Sequence, residues 1–252
     1  MRLWDNAAAL KRLYRWLYAC VILCLLAAGG VWLVNSPYFP IKQVRLEQPL
    51  LRVSAQQVQA VAQQHLHGNI FKADVNAAQT ALAALPWVGK AQVKRIWPDT
   101  VVVSLTERVP VAHWDHQRLV DSNGELFSAE TSEALPQFMA ETTDAAARVP
   151  PLMVAKLASF QVALRPTGLQ IAKLHYSARS AWTLELDNGI TVRLGRENEA
   201  ERLQHFVWAW PRVLQAQAAD INYVDMRYKD GFALRRRGET AAAEASNAAT
   251  TE

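Results

Sequence analysis

Eighteen consecutive residues, Leu17 to Val34, carry no charge, and they follow a short basic stretch holding Arg2, Lys11, Arg12 and Arg15 against the single acid Asp5. As a helix such a run spans roughly 27 Å, close to the ~30 Å hydrocarbon core of a bilayer. Tyr14, Trp16 and Tyr18 mark one end and Trp32, Tyr38 and Phe39 the other, the places where aromatic rings sit at membrane interfaces. A cleaved signal peptide would have a shorter apolar core ending at a small-x-small site. Ala27-Ala28-Gly29 could serve as that site, but Val31-Trp32-Leu33-Val34 prolongs the run past it. An uncleaved single-pass anchor is the expectation, with residues 1–16 cytoplasmic by the positive-inside tendency, 17–35 spanning, and the rest exported.

That placement constrains everything downstream. Both cysteines, Cys20 and Cys24, lie within the apolar run, so the exported part has no disulfide and depends on its apolar cores. Half of the residues are apolar, enough for such cores, and a formal net charge of +4 is modest. Neither a basic, aromatic-studded face nor a nucleic-acid-binding motif is present, which argues against a nucleic-acid partner. From residue 237 the chain becomes small and polar, a tail expected to be disordered because it has little apolar surface to offset ordering.

Residues 39–109 read as a strand, two helices and two strands. Val44 and Leu46 alternate with charged positions, giving a half-buried strand. Ser54 and Gln57 have the spacing of a capping box, ahead of a helix with Val58, Val61, Ala62 and Leu66 on one face. Asp74 caps a second helix carrying Val75, Ala78, Leu82 and Leu85, stopped at Pro86. Val88–Trp97 then turns at Pro98-Asp99 into Thr100–Arg108, where Val101, Val103 and Leu105 alternate with Val102, Ser104 and Thr106.

Residues 110–236 read as hairpins with helices between them. Ser122-Asn123-Gly124 joins Arg118–Asp121 to Glu125–Phe127, and Asp187-Asn188-Gly189 joins Trp182–Leu186 to Ile190–Leu194. A helix from near Pro151 buries Met153, Leu157, Phe160 and Leu164. A later one, with Asn198 as its cap, buries Leu203, Phe206, Val207 and Trp210 and is kinked or ended by Pro211. Ile221–Tyr228 and Phe232–Arg236, joined at Lys229-Asp230-Gly231, form the last hairpin. The fold class is therefore α+β: one transmembrane helix, a β-α-α-β-β domain, and a mostly antiparallel β domain with flanking helices.

Chemistry is hard to find in this sequence. His65 and His67 end a helix and point different ways, and His113 and His116 fall on opposite faces of strand-like sequence, so neither pair suits a metal. Asp121, Glu125, Asp187 and Asp225 could be offered as a carboxylate pair for hydrolysis, but the first three belong to or flank turns, where Asp serves its own backbone. No phosphate loop or nucleophile elbow appears. No cofactor and no enzymatic activity are expected.

Several segments resemble the FtsQ/DivIB family of bacterial cell-division proteins. In the first exported domain they are Pro86-Trp87-Val88, Val93-Lys94-Arg95-Ile96-Trp97-Pro98 and Thr106-Glu107-Arg108-Val109-Pro110-Val111-Ala112, which match its polypeptide-transport-associated (POTRA) domain. In the second they are Leu194-Gly195-Arg196, Arg202-Leu203-x-x-Phe206 and Tyr223-Val224-Asp225-Met226-Arg227-Tyr228-x-x-Gly231-Phe232-Ala233, which match its β domain. The sequence departs from the family pattern at Glu141–Asp144, where a Gly-Pro-x-Gly turn is common, and at Arg236, where an aromatic is common. The resemblance implies a non-enzymatic inner-membrane scaffold of the division septum. It implies FtsB and FtsL as partners of the β domain, and FtsK and other division proteins as partners of the POTRA domain. POTRA domains also occur in outer-membrane assembly and secretion factors, but those carry long series of amphipathic strands that this chain lacks. The expected partner site is Arg196 together with Arg227, Tyr228, Gly231, Phe232, Leu234, Arg235 and Arg236. The last strand is followed only by the tail, so one edge should be open to a strand from an acidic peptide.

Overall fold

The computed structural model describes residues 7–35, 39–66, 68–141, 148–229 and 231–238. The first helix, α1 (Ala7–Asn35), begins before the apolar run because Ala7 to Leu13 are nearly all strong helix formers with no breaker among them. Its Leu13–Leu33 stretch is long and apolar enough to cross a membrane, and none of it is buried by the rest of the chain. Part of the expected cytoplasmic segment is therefore helical, and residues 1–6 lie outside the described residues. The chain divides into two compact units, Met1–Glu107 and Arg108–Glu252, and each has its own apolar core.

In the first unit, after α1, come β1 (Gln43–Leu46), α2 (Ala55–His65), α3 (Val75–Ala83), β2 (Val88–Ile96) and β3 (Thr100–Glu107), the expected β-α-α-β-β order. The sheet order is β1-β3-β2, with β1 parallel and β2 antiparallel to β3. Val101, Val103 and Leu105 of β3 meet Val58 and Ala62 of α2 and Ala78 and Leu82 of α3 in the core. The Ser54–Gln57 capping box forms in full, and the Asp74 carboxylate accepts the Ala77 N–H at 2.9 Å. Two expectations are corrected. Leu85 lies past the end of α3, though it still packs on the core. Val44 and Leu46 are exposed rather than half-buried, because they line an open cleft between the edge strand β1 and α2.

The second unit comprises β4 (Pro110–His113), β5 (Arg118–Asp121), β6 (Leu126–Ser128), β7 (Gln137–Ala140), α4 (Val149–Leu164), β8 (Ile171–Tyr176), β9 (Trp182–Leu186), β10 (Thr191–Gly195), α5 (Glu199–Ala209), β11 (Ile221–Asp225) and β12 (Ala233–Arg236). They build one nine-stranded sheet in the order β12-β11-β10-β9-β8-β7-β4-β5-β6. The β4–β7, β7–β8 and β10–β11 pairs are parallel and the others antiparallel, so the sheet is mostly antiparallel as expected. Strands β7 and β8 are additions to the sequence reading. Met153, Leu157, Phe160 and Leu164 of α4, with Leu203 and Phe206 of α5, join Trp182, Leu184, Leu186, Val192 and Leu194 of the central hairpin in one core. A π-helical turn at Trp210–Leu214 follows α5, as Pro211 required. Asn198 occupies the cap position of α5 but makes no capping bond; its backbone is left-handed at φ 54°.

Candidate functional site: the terminal sheet edge

The last hairpin is wider than its sequence suggested. Strand β11 stops at Asp225, and β12 begins opposite it at Ala233. The cause is the Asp225 side chain, which is buried and accepts the Arg227 backbone N–H at 3.1 Å and the Arg227 guanidinium at 2.6–3.0 Å. That clamp folds the chain back two residues on, as Asx-type contacts do. Burial pushes the Asp225 carboxyl up, but the Arg227 side-chain and backbone hydrogen bonds outweigh it and hold the group below the usual Asp range. The same contact raises Arg227 above the ordinary guanidinium value. Tyr228 therefore stands in a loop, not on a strand, and is 60% exposed.

Arg227 also covers the Leu194-Gly195-Arg196 segment. Gly195 has φ +79°, and a Cβ there would lie 2.8 Å from Arg202 Nη1 and 3.2 Å from Arg227 Cγ. The positive φ favours glycine at this turn. Arg202 holds it by donating to the Leu194 carbonyl at 2.7 Å. Around Gly195 the fold gathers Arg179, Arg196, Arg202 and Arg227 with Glu197 into a shallow cleft of ≈ 340 Å³. Arg196 is mostly exposed and pairs with its neighbour Glu197 at 3.0 Å, a weak surface contact.

Among the described residues β12 is the last strand of the sheet, pairing with β11 on one side. Phe232 and Leu234 are half-buried against the core, while Ala233 and Arg236 are exposed. In register, Leu234 lies opposite Val224 and Arg235 opposite Tyr223. Arg237, expected in the disordered tail, is held: its guanidinium donates to the Ile221 carbonyl at 3.1 Å and the Asn188 carbonyl at 3.2 Å. Residues 239–252 lie outside the described residues. Beside Gly231 and Phe232 opens a cleft of ≈ 720 Å³ walled by His205, Trp208 and Ala209 of α5 and by Met226 and Lys229. Trp208 is 62% exposed, with the Arg212 guanidinium 4.4 Å over its ring.

Comparison with known proteins over most of the chain decides the family. The model of the FtsQ/DivIB C-terminal region matches residues 112–227, and that of the FtsQ-type POTRA domain matches residues 39–108. Cell division protein FtsQ of Neisseria gonorrhoeae is 45% identical over 235 residues, covering 92% of this chain and 95% of that protein. Those of Neisseria meningitidis and Burkholderia pseudomallei are 44% and 36% identical, each over at least 90% of both chains. The chain belongs to the FtsQ/DivIB family of cell-division proteins.

Within this FtsQ-family chain the anticipated residues separate into three groups. Arg196 meets Arg227 in the arginine cleft; Gly231 and Phe232 line the Trp208 cleft; Leu234, Arg235 and Arg236 form the edge strand. Arg227 pairs with Asp225 and so also holds the loop. Arg179, Trp208 and Lys229 were missed by the sequence reading. A signal existed for Trp208: it sits on the polar face of α5, where a large apolar side chain has no core to enter. Arg179 carried none, since only folding brings it to Gly195. Among the described residues no group of three or more His, Cys, Asp or Glu side chains could hold a metal ion. His65 ends α2, and His67 is outside the described residues.

Proposed function

We propose that this chain is a non-enzymatic scaffold of the division septum. Its N-terminus is cytoplasmic and both units are periplasmic, and it recruits FtsB, with FtsL, by accepting a strand along β12. The observation that supports this most is the edge itself: a strand paired on one side, flanked by half-buried Phe232 and exposed Tyr228. An added strand would satisfy outward backbone groups of β12, and the aromatic residues would supply the apolar contact. Arg196, Arg235 and Arg236 favour an acidic peptide, and Arg179 adds to that preference. FtsK and other division proteins are assigned to the POTRA unit through the family resemblance.

The test is capture of FtsB from membranes by the full-length chain. The double substitution Tyr228→Ala and Phe232→Ala should weaken capture by about 2 kcal/mol or more, roughly thirtyfold, as aromatic hot spots do. Arg196→Glu should weaken it independently. Undiminished capture by both folded variants would place the site elsewhere and leave the arginines as guards against edge aggregation.

A further inference from the structure

The first unit ends, at the turn between β2 and β3, in an apolar tip with no place in the core. Trp97 is 54% exposed and Ile96 52% exposed. Trp97 packs on Phe71 with ring centroids 4.5 Å apart and the rings tilted by 56°, and Phe71 meets Phe39 edge-on at 5.7 Å. Phe39 is held there by its carbonyl, which accepts the Ile70 N–H at 3.0 Å. Only three residues, four Cα–Cα steps, separate Phe39 from Asn35, the last residue of α1. A fully extended chain covers about 14 Å in that span, so this cluster is tethered close to where the helix leaves the bilayer.

The charge around the tip points the same way. Lys72, Lys94 and Arg95 flank it in the chain and are exposed. Arg95 reaches back to the Ala73 carbonyl at 2.8 Å, beside Phe71. The neighbouring acids are engaged, Asp74 in capping α3 and Asp99 in pairing with Lys42 at 3.3 Å. Indole rings beside lysine and arginine are the composition that lies at the headgroup level of anionic membranes.

We propose that Phe71, Ile96 and Trp97 form a second, shallow membrane contact, resting in the headgroup region of the same bilayer that α1 spans. It rests on α1 being the membrane anchor. The contact would hold the first unit tip-down on the membrane, with the strands of its sheet pointing away. Leu51 provides an internal control. It is 89% exposed and equally apolar, but its N–H donates to Glu107 at the opposite end of β3, ~23 Å from the Thr100 end.

The experiment is photo-crosslinking of the full-length chain reconstituted in vesicles of phosphatidylethanolamine and phosphatidylglycerol. p-Benzoyl-phenylalanine is placed in turn at residues 25, 51, 96 and 97, and lipid adducts are counted by mass spectrometry. Adducts at 25, 96 and 97, each severalfold above those at 51, are expected. Position 96 repeats the measurement should replacement of Trp97 disturb its ring contacts. Labelling at 25 but none at 96 and 97, equal labelling at 51, or adducts of 97 to a second copy of the chain would each overturn the contact. Absence of lipid adducts at 25 would instead overturn the anchor, and the proposal with it.

Discussion

Glu107 and Arg108 are neighbours in the chain and serve different units. Glu107 closes the first: its carboxylate accepts the N–H groups of Leu51, Arg52 and Val53 at 2.8–3.1 Å, fixing the loop between β1 and α2. Arg108 opens the second: its guanidinium reaches the buried Asp121 and the exposed Glu125, each at 2.8 Å. Asp121 in turn accepts the N–H groups of Asn123 and Glu125 and shapes the first hairpin turn. The adjacent Glu-Arg pair thus divides its work between the two units. One residue completes a backbone nest, the next neutralises a buried carboxylate, and neither is free for a partner.

The largest expected effects lie in the two cores. Leu82 and Phe206 are fully buried, one in each unit. Leu82→Ala should cost about 2–5 kcal/mol and Phe206→Ala about 3–5 kcal/mol, from lost transfer energy and the cavity left behind. Hydrogen exchange on the full-length chain should show faster opening in residues 39–107 for the first and in residues 108–238 for the second. Exchange that accelerates equally in both regions for either variant would break the description of two separate cores.

The junction should give smaller effects that separate in the same way. Arg108→Ala leaves Asp121 buried without its cation and should cost about 1–3 kcal/mol, read in the second unit. Glu107→Ala frees three N–H donors, two of them near solvent, and should cost about 1–2 kcal/mol, read in the first. If both substitutions loosen the same unit, the division of labour between these neighbours is wrong.

Acid sharpens the contrast further. Glu107 in the first unit is held below the usual Glu range; burial opposes this, but the three backbone hydrogen bonds outweigh it. In the second unit three carboxyls are held low, each against the upward push of burial. Asp115 is held by the Gln117 N–H and by Arg118, Glu199 by Lys156, and Asp225 by Arg227. A carboxyl lowered by folding stabilises fully above its unfolded pKa, about 4, and that contribution disappears as pH falls through the folded value. Both units should therefore weaken below about pH 4, the second more steeply because it takes up more protons on opening. Hydrogen exchange followed from pH 5 downward, corrected for its intrinsic rates, measures both slopes. A steeper slope in the first unit would contradict this assignment.

Legibility in the sequence followed the regularity of the backbone. Helix α2, strand β3 and the β9–β10 hairpin could be read residue by residue because their apolar positions keep strict helical or two-residue periods. Strand β8 was hidden because a register shift between Ile171 and Lys173 places its buried residues, Ile171 and Leu174, three apart. Strand β7 buries only Phe138 and pairs in parallel on both sides, so no hairpin turn announces it. At the terminal edge the residues were visible but their division of roles was not. A bidentate contact between Asp225 and Arg227, two residues apart, ended a strand that propensity would have continued through Tyr228.

The smallest predicted effect separates two helix starts that look alike in sequence. Ser54 and Asn198 are both favoured cap residues placed just before an amphipathic run. Ser54 performs the role: its hydroxyl accepts the Gln57 N–H at 3.2 Å, and the Gln57 side chain accepts the Ser54 N–H at 3.2 Å. Asn198 has a left-handed backbone and no capping bond, and Glu199 beside it pairs with Lys156 of α4. What position 198 requires is the positive φ, which glycine adopts more readily than any other residue. Ser54→Ala should therefore cost about 0.5–2 kcal/mol in the first unit. Asn198→Gly should change the second by no more than about 0.5 kcal/mol, the added chain entropy offset by relief of backbone strain. Denaturant midpoints of the full-length variants, read through exchange in each unit, measure both. A loss at Asn198→Gly as large as that at Ser54→Ala would mean that its side chain caps α5 in solution after all.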